Sequence, residues 1–148
     1  MKIESPSAFE HAWKYFELHS QQRMVVFNFY IAIIGLLGAG SGVCLQQGGK
    51  YLYFASGLGA FIIFITFIFH KLDVRVSFLI KNSEKALKYY EDSFTNQDFK
   101  IFTKDNEHIG TKFNIFGMWS YGKCFRASFY IIANIGLLLF ISPVLIRW

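Results

Sequence analysis

MVVFNFYIAIIGLLGAGSGVCL, residues 24–45, runs for 22 residues without a charged side chain, and YLYFASGLGAFIIFITFIF, residues 51–69, does so for 19. A helix needs roughly 20 consecutive apolar residues to cross the hydrocarbon of a bilayer. SFYIIANIGLLLFISPVLI, residues 128–146, is a third run of the same kind. The fold class that follows is an all-α membrane protein with about three transmembrane helices, over residues 24–45, 51–71 and 128–146.

Composition agrees. Hydrophobic residues make up 53% of the chain and aromatics 20%, with 18 Phe among 148 residues. A soluble domain reaches a similar apolar share, about 45–50%, with those residues dispersed; here they are clustered. Outside the spans stand a short amino-terminal arm and one interior segment, residues 70–127, too short to bury the core of a separate enzyme domain. Residues 1–148 therefore read as one membrane-embedded domain. The small residues Gly38 to Gly42 resemble the region before a signal-peptide cleavage site. The run is longer than a signal core and begins far from the amino terminus, so it reads as a retained span.

Basic residues in short loops favour the cytoplasmic side. Ten of the fifteen Lys and Arg lie between Lys71 and Ala127, three lie in the arm, and the turn between spans one and two has only Lys50. The expected topology is a multi-pass membrane protein with the amino terminus and residues 72–127 cytoplasmic and the carboxyl terminus outside. The net charge of +5 then faces anionic headgroups, making the lipid bilayer the first partner. Nucleic acid is not expected, because seven acids interrupt the ten cations of the interior segment and make a poor phosphate track. Cys44 and Cys124 fall on opposite sides of the membrane, so no disulfide between them is expected. His11 and His19 are eight apart, not the four that places ligands on one helix face, and the reading includes neither metal nor cofactor.

The arm, residues 7–23, reads as an amphipathic helix that runs on into span one. Ser7 and Glu10 have capping-box spacing, and Phe9, Trp13 and Phe16 form an apolar stripe. Small residues four apart, Gly38 with Gly42 and Ala55 with Gly59, let helix backbones approach closely in lipid. With only Gln46 to Lys50 between them, spans one and two are expected to form a tight hairpin. Asn28 and Asn134 are polar exceptions inside spans and either bond another helix or line a water-filled path.

No Gly or Pro interrupts residues 61–94, a length of about 50 Å if helical. Leu72, Val76, Leu79, Ser83, Ala86 and Tyr90 step by four and three. That is a heptad seam continuing past the membrane as a cytoplasmic helix over 72–94. A seam needs a partner, and self-association into a homo-oligomer is the leading expectation; the alternative is that the amino-terminal arm folds back on it within one chain. Residues 95–127 read as a cytoplasmic loop, polar over Thr103 to Lys112, and an interfacial segment over Phe113 to Phe125. Pro143 is expected to kink span three or end its regular bonding.

Chemistry is sparse. There is no nucleophile in a recognisable motif, no paired carboxylates in a defined setting and no phosphate loop, so nothing argues for an enzyme. HAWKYFELHSQQRMVVFNFY (residues 11–30) and HKLDVRVSFLIKNSEKALKYYE (residues 70–91) resemble the small bacterial octameric membrane proteins (RipA-type). That group includes the accessory membrane protein of type VI-B CRISPR systems. The resemblance implies a ring-shaped homo-oligomer with a central opening that acts in antiviral defence by perturbing the inner membrane. No Arg is followed four to six residues later by His, which counts against a nuclease-like role. The residues themselves indicate assembly, with Asn28, His70, Asp73 and Arg75 as candidates for lining or gating a conductive path. The competing reading is a non-conducting anchor that recruits a soluble defence protein through the cytoplasmic helix.

Overall fold

The computed structural model describes residues 6–108 and 119–145. Among these the chain is helical with no strand, and three helices are long and apolar enough to cross a membrane. Helix α1 spans Pro6–Gln47, starting on a proline, whose missing amide is harmless in a first turn. It ends at Gly48 and Gly49, whose φ angles of 65° and 56° lie in the left-handed region. A side chain there is strained, so these two glycines permit the tight reversal. The Gly48 amide donates to the Cys44 carbonyl at 3.3 Å, closing the helix.

Helix α2 spans Tyr51–Glu91, with Lys88 in its last turn where a cation suits the helix dipole. A 3-10 turn at Gln97–Phe99 follows, held by the Asp98 amide on the Asn96 side-chain oxygen at 2.9 Å. Where the sequence reading has a loop, residues 101–108 instead form α3, Ile101–His108. The reason is a distant partner: the Glu91 carboxylate supplies the acceptors that the first amides of α3 lack. Helix α4 spans Tyr121–Leu145 and includes Pro143, so it begins seven residues before the expected span and continues two past the proline. Of the expected interfacial segment, residues 113–118 lie outside the described residues.

The chain divides into two compact units, each drawing on both long helices. The first comprises Met1–Met24 and Val74–Gly122. In it α1 buries Ala12, while α2 buries Val76, Ile80, Ser83, Leu87 and Glu91. Phe9 meets Tyr90 edge-on with centroids 5.4 Å apart, and Phe16 meets Phe102 at 5.3 Å. The arm thus meets the end of α2 through Phe9 and α3 through Phe16. Ser83 satisfies its hydroxyl on the Ile80 carbonyl at 2.9 Å, which lets a polar group sit on the buried face.

The second unit comprises Val25–Asp73 and Lys123–Trp148. Its centre is aromatic: buried Tyr30, Phe125 and Phe129, with Phe27, Ile34, Ile65, Phe69 and Ile132 packed around them. Phe27 and Phe125 stack at 4.0 Å, and Phe129 lies 4.9 Å from the Tyr30 ring. Such offset and tilted pairs add to the area that the rings bury.

Candidate functional site

The close helix contact of the second unit lies between α2 and α4. A methyl group on Gly59 would come 2.6 Å from the Phe140 amide nitrogen and 2.7 Å from the Gly136 carbonyl oxygen. One on Gly136 would come 3.0 Å from side-chain carbons of Ile62 and Ile63. One turn away, the Ser56 hydroxyl donates to the Phe140 carbonyl at 2.6 Å. These small residues let two backbones touch. The expected clasp between spans one and two is placed otherwise. Gly38 and Gly42 have open space around them, and Gly40 meets Leu58 at ordinary van der Waals distance. Ala55 is fully buried.

Polar groups within the spans form short local chains. The Tyr30 hydroxyl lies 3.0 Å from the Thr66 hydroxyl, which is 2.7 Å from the Ile62 carbonyl. A carbonyl only accepts, so Thr66 donates to Ile62 and Tyr30 donates to Thr66. Ser41, also buried, donates to the Leu37 carbonyl at 2.8 Å. The Asn134 amide donates to the Tyr130 carbonyl at 2.8 Å. Tyr30, Thr66 and Gly136 escaped the sequence reading, since a lone hydroxyl or glycine inside an apolar run carries no spacing signal.

The four candidate path residues differ in burial. Asn28 is exposed on α1 and makes no side-chain hydrogen bond among the described residues. His70 is half-buried, its ring edge-on to Phe129 at 5.8 Å and tilted against Tyr130 at 6.1 Å. Asp73 is 6% exposed and partnered, while Arg75 is exposed. Of the expected seam, Val76 is buried, Leu79 and Tyr90 are half-buried, and Leu72 and Ala86 are exposed. The face of α2 that its own chain covers in the first unit is rotated by about one residue from that seam.

Glu91 is a feature that sequence reasoning missed. Its Oε1 accepts from the Phe102 amide at 2.9 Å, and its Oε2 from the Thr103 amide and hydroxyl at 3.0 and 2.9 Å. Burial pushes this carboxyl up, but the bonds from Phe102 and Thr103 together hold it below its ordinary value. Among the described residues no three His, Cys, Asp or Glu side chains cluster as metal ligands.

The chain is 58% identical over 147 residues to CD-NTase-associated protein 19 of Escherichia coli, covering 99% of this chain and 97% of that relative. It belongs to the CD-NTase-associated protein 19 family. No family model matches it, and no solved structure does. The relative's name speaks of a CD-NTase and not of CRISPR, so the type VI-B resemblance gives way to this family. For this CD-NTase-associated protein 19 relative the chemistry to be explained is that of a helical bundle. Among the described residues Tyr30, Ser41, Thr66 and Asn134 are hydrogen-bonded within the spans, while Asn28 makes no side-chain bond and the buried Ser142 hydroxyl has no partner.

Proposed function

We propose that the chain is a membrane-embedded component of a CD-NTase-based (CBASS) antiviral system that assembles with copies of itself and permeabilises the membrane. The observation that carries this reading is the near full-length identity to a CD-NTase-associated protein, joined to three helices able to span a bilayer. It works without enzymatic chemistry of its own. Only 11% of the most apolar window of α1 is buried by the chain itself, leaving that surface for lipid or for further copies. The middle of the second unit is filled by Tyr30, Phe125 and Phe129, so a water path runs between copies and not through one bundle. Asn28 and Arg75 are exposed and available to such a path. Charge distribution supports an inner-membrane placement with the amino-terminal arm and the Leu72 to Ala127 region on the cytoplasmic side.

Dye-loaded liposomes carrying the purified protein test the reading. Release of dye that rises with protein density is the expected result. Liposomes that stay tight while the CD-NTase of the same system is captured on them would overturn permeabilisation and favour the anchor that recruits a soluble partner.

A further inference from the structure

Resting on the reading that copies assemble, we propose that they do so head to tail through two complementary rows in the first unit. The row of one copy is Glu10, Trp13 and Glu17 on α1, and the row of the next is Lys88, Lys85 and Lys81 on α2. The spacing carries the argument. Glu10, Trp13 and Glu17 step by three and then four along α1, while Lys88, Lys85 and Lys81 step by three and then four backwards along α2. Within one chain Phe9 touches Tyr90, so α1 and α2 run in opposite directions here with Glu10 level with the end of α2. Both helices rise 1.5 Å per residue, so Trp13 comes level with Lys85 and Glu17 with Lys81.

The rows face outward from their own chain. Glu10, Glu17, Lys81 and Lys85 are exposed, Lys88 is half-buried, and Trp13 is 44% exposed. Neither row closes an ion pair among the described residues, and Glu84, three residues from Lys81 and four from Lys88, borders the basic row as Lys14 borders the acidic one. Glu17 takes a single long bond, 3.4 Å, from the Gln21 amide. The lysines of the basic row make no ion pair such as that of Lys104 with Asp98. A neighbour set at the same height places a carboxylate on Lys88, a carboxylate on Lys81 and, between them, an indole face under the Lys85 ammonium, a cation–π arrangement. Lys14 lies about 40° round α1 from Glu10, at the edge of the acidic row and not within it. Each copy carries both rows, so every addition leaves one of each free until a ring closes.

Two charge-reversed proteins test this. Lys81→Glu with Lys88→Glu makes both rows acidic, and Glu10→Lys with Glu17→Lys makes both basic. Mass in mild detergent at low salt is expected to show each variant alone dissociating at least about tenfold more readily than wild type. An equal mixture is expected to assemble again, which also shows that both variants are folded. High salt is expected to weaken the wild-type assembly, since these charges are exposed. Either variant assembling alone like wild type would overturn the proposal and assign the lysines to an acidic protein or to anionic lipid, as would a mixture that stays apart. Dye release from the same samples separates the two readings. Variants that still assemble and still leak sink the interface alone, whereas wild type that is monomeric in mild detergent and leaves liposomes tight sinks the membrane-effector reading.

Discussion

Glu91 ties the end of α2 to Thr103 in the first turn of α3 through two hydrogen bonds on one carboxylate oxygen, from the amide at 3.0 Å and the hydroxyl at 2.9 Å. With the Phe102 amide on the other oxygen, the carboxylate replaces the acceptors missing at any helix start. Bonds to a charged group contribute roughly 1.5–3 kcal/mol each, and the side chain is only 5% exposed. Glu91→Ala is expected to destabilise the first unit by about 2–3 kcal/mol and to speed hydrogen exchange at Phe102 and Thr103. Unchanged exchange at those amides would refute the capping role.

The same carboxylate sets a pH dependence. Its pKa in the folded chain is lowered from 4.5, so it binds protons less readily folded than unfolded. Its contribution is fully present above pH 4.5 and is lost as the pH falls from there through the lowered folded value. Stability measured by denaturant over that window is expected to fall more steeply for wild type than for Glu91→Gln, which has no carboxylate to protonate. Parallel curves would contradict the assignment.

Gly59 and Gly136 differ from Gly38 and Gly42 in what a side chain would meet. Gly59→Ala drives a methyl against backbone atoms at 2.6 and 2.7 Å, which cannot swing away as a flexible side chain would. Overpacking of this kind costs about 1–3 kcal/mol. Gly38→Ala and Gly42→Ala meet nothing within 4 Å and replace a poor helix former by a good one, a gain of up to about 1 kcal/mol. Thermal unfolding in detergent is expected to place Gly59→Ala below wild type and the two α1 variants level with it or above. The reverse order would show that the α2–α4 contact is not where the backbones touch.

The spans were legible because they depend only on a local run of apolar residues: Tyr51 to Phe69 and the start of α2 at Tyr51 are fixed by sequence neighbours. Helix α3 was not, because Ile101–His108 is polar and is capped by a carboxylate about ten residues upstream. The heptad seam was legible as a period and not as a phase. Leu72, Val76 and Leu79 suit a coiled coil, but the residues buried within the first unit are Val76, Ile80 and Leu87. Which glycine makes a contact depends equally on a distant helix: Gly59 finds Gly136, 77 residues on, and nothing in the spacing of Ala55 and Gly59 says so.

Tyr30 and Thr66 offer an asymmetric test of the buried chain. Tyr30→Phe removes the donor and leaves the Thr66 hydroxyl on the Ile62 carbonyl, so it should cost about 0.6 kcal/mol, an average for such bonds between membrane helices. Thr66→Val removes the acceptor and strands the Tyr30 hydroxyl at a site with 0% exposure, where an orphaned polar group costs roughly 1–3 kcal/mol. Unfolding in detergent is expected to rank Thr66→Val clearly below Tyr30→Phe. Equal effects would mean that Tyr30 finds another acceptor.

Asn28 has the opposite situation, since it is exposed on an apolar helix with no side-chain hydrogen bond among the described residues. A bare amide facing hydrocarbon is costly, which favours water or another copy beside it over lipid. Asn28→Leu keeps the size and removes the amide. If Asn28 faces a path between copies, the variant is expected to unfold at the wild-type temperature in detergent yet release less dye from liposomes at the same protein density. If it faces lipid, Leu improves the fit to hydrocarbon, and dye release stays at the wild-type level. The two measurements together therefore decide whether this residue belongs to a path or only to the outside of the bundle.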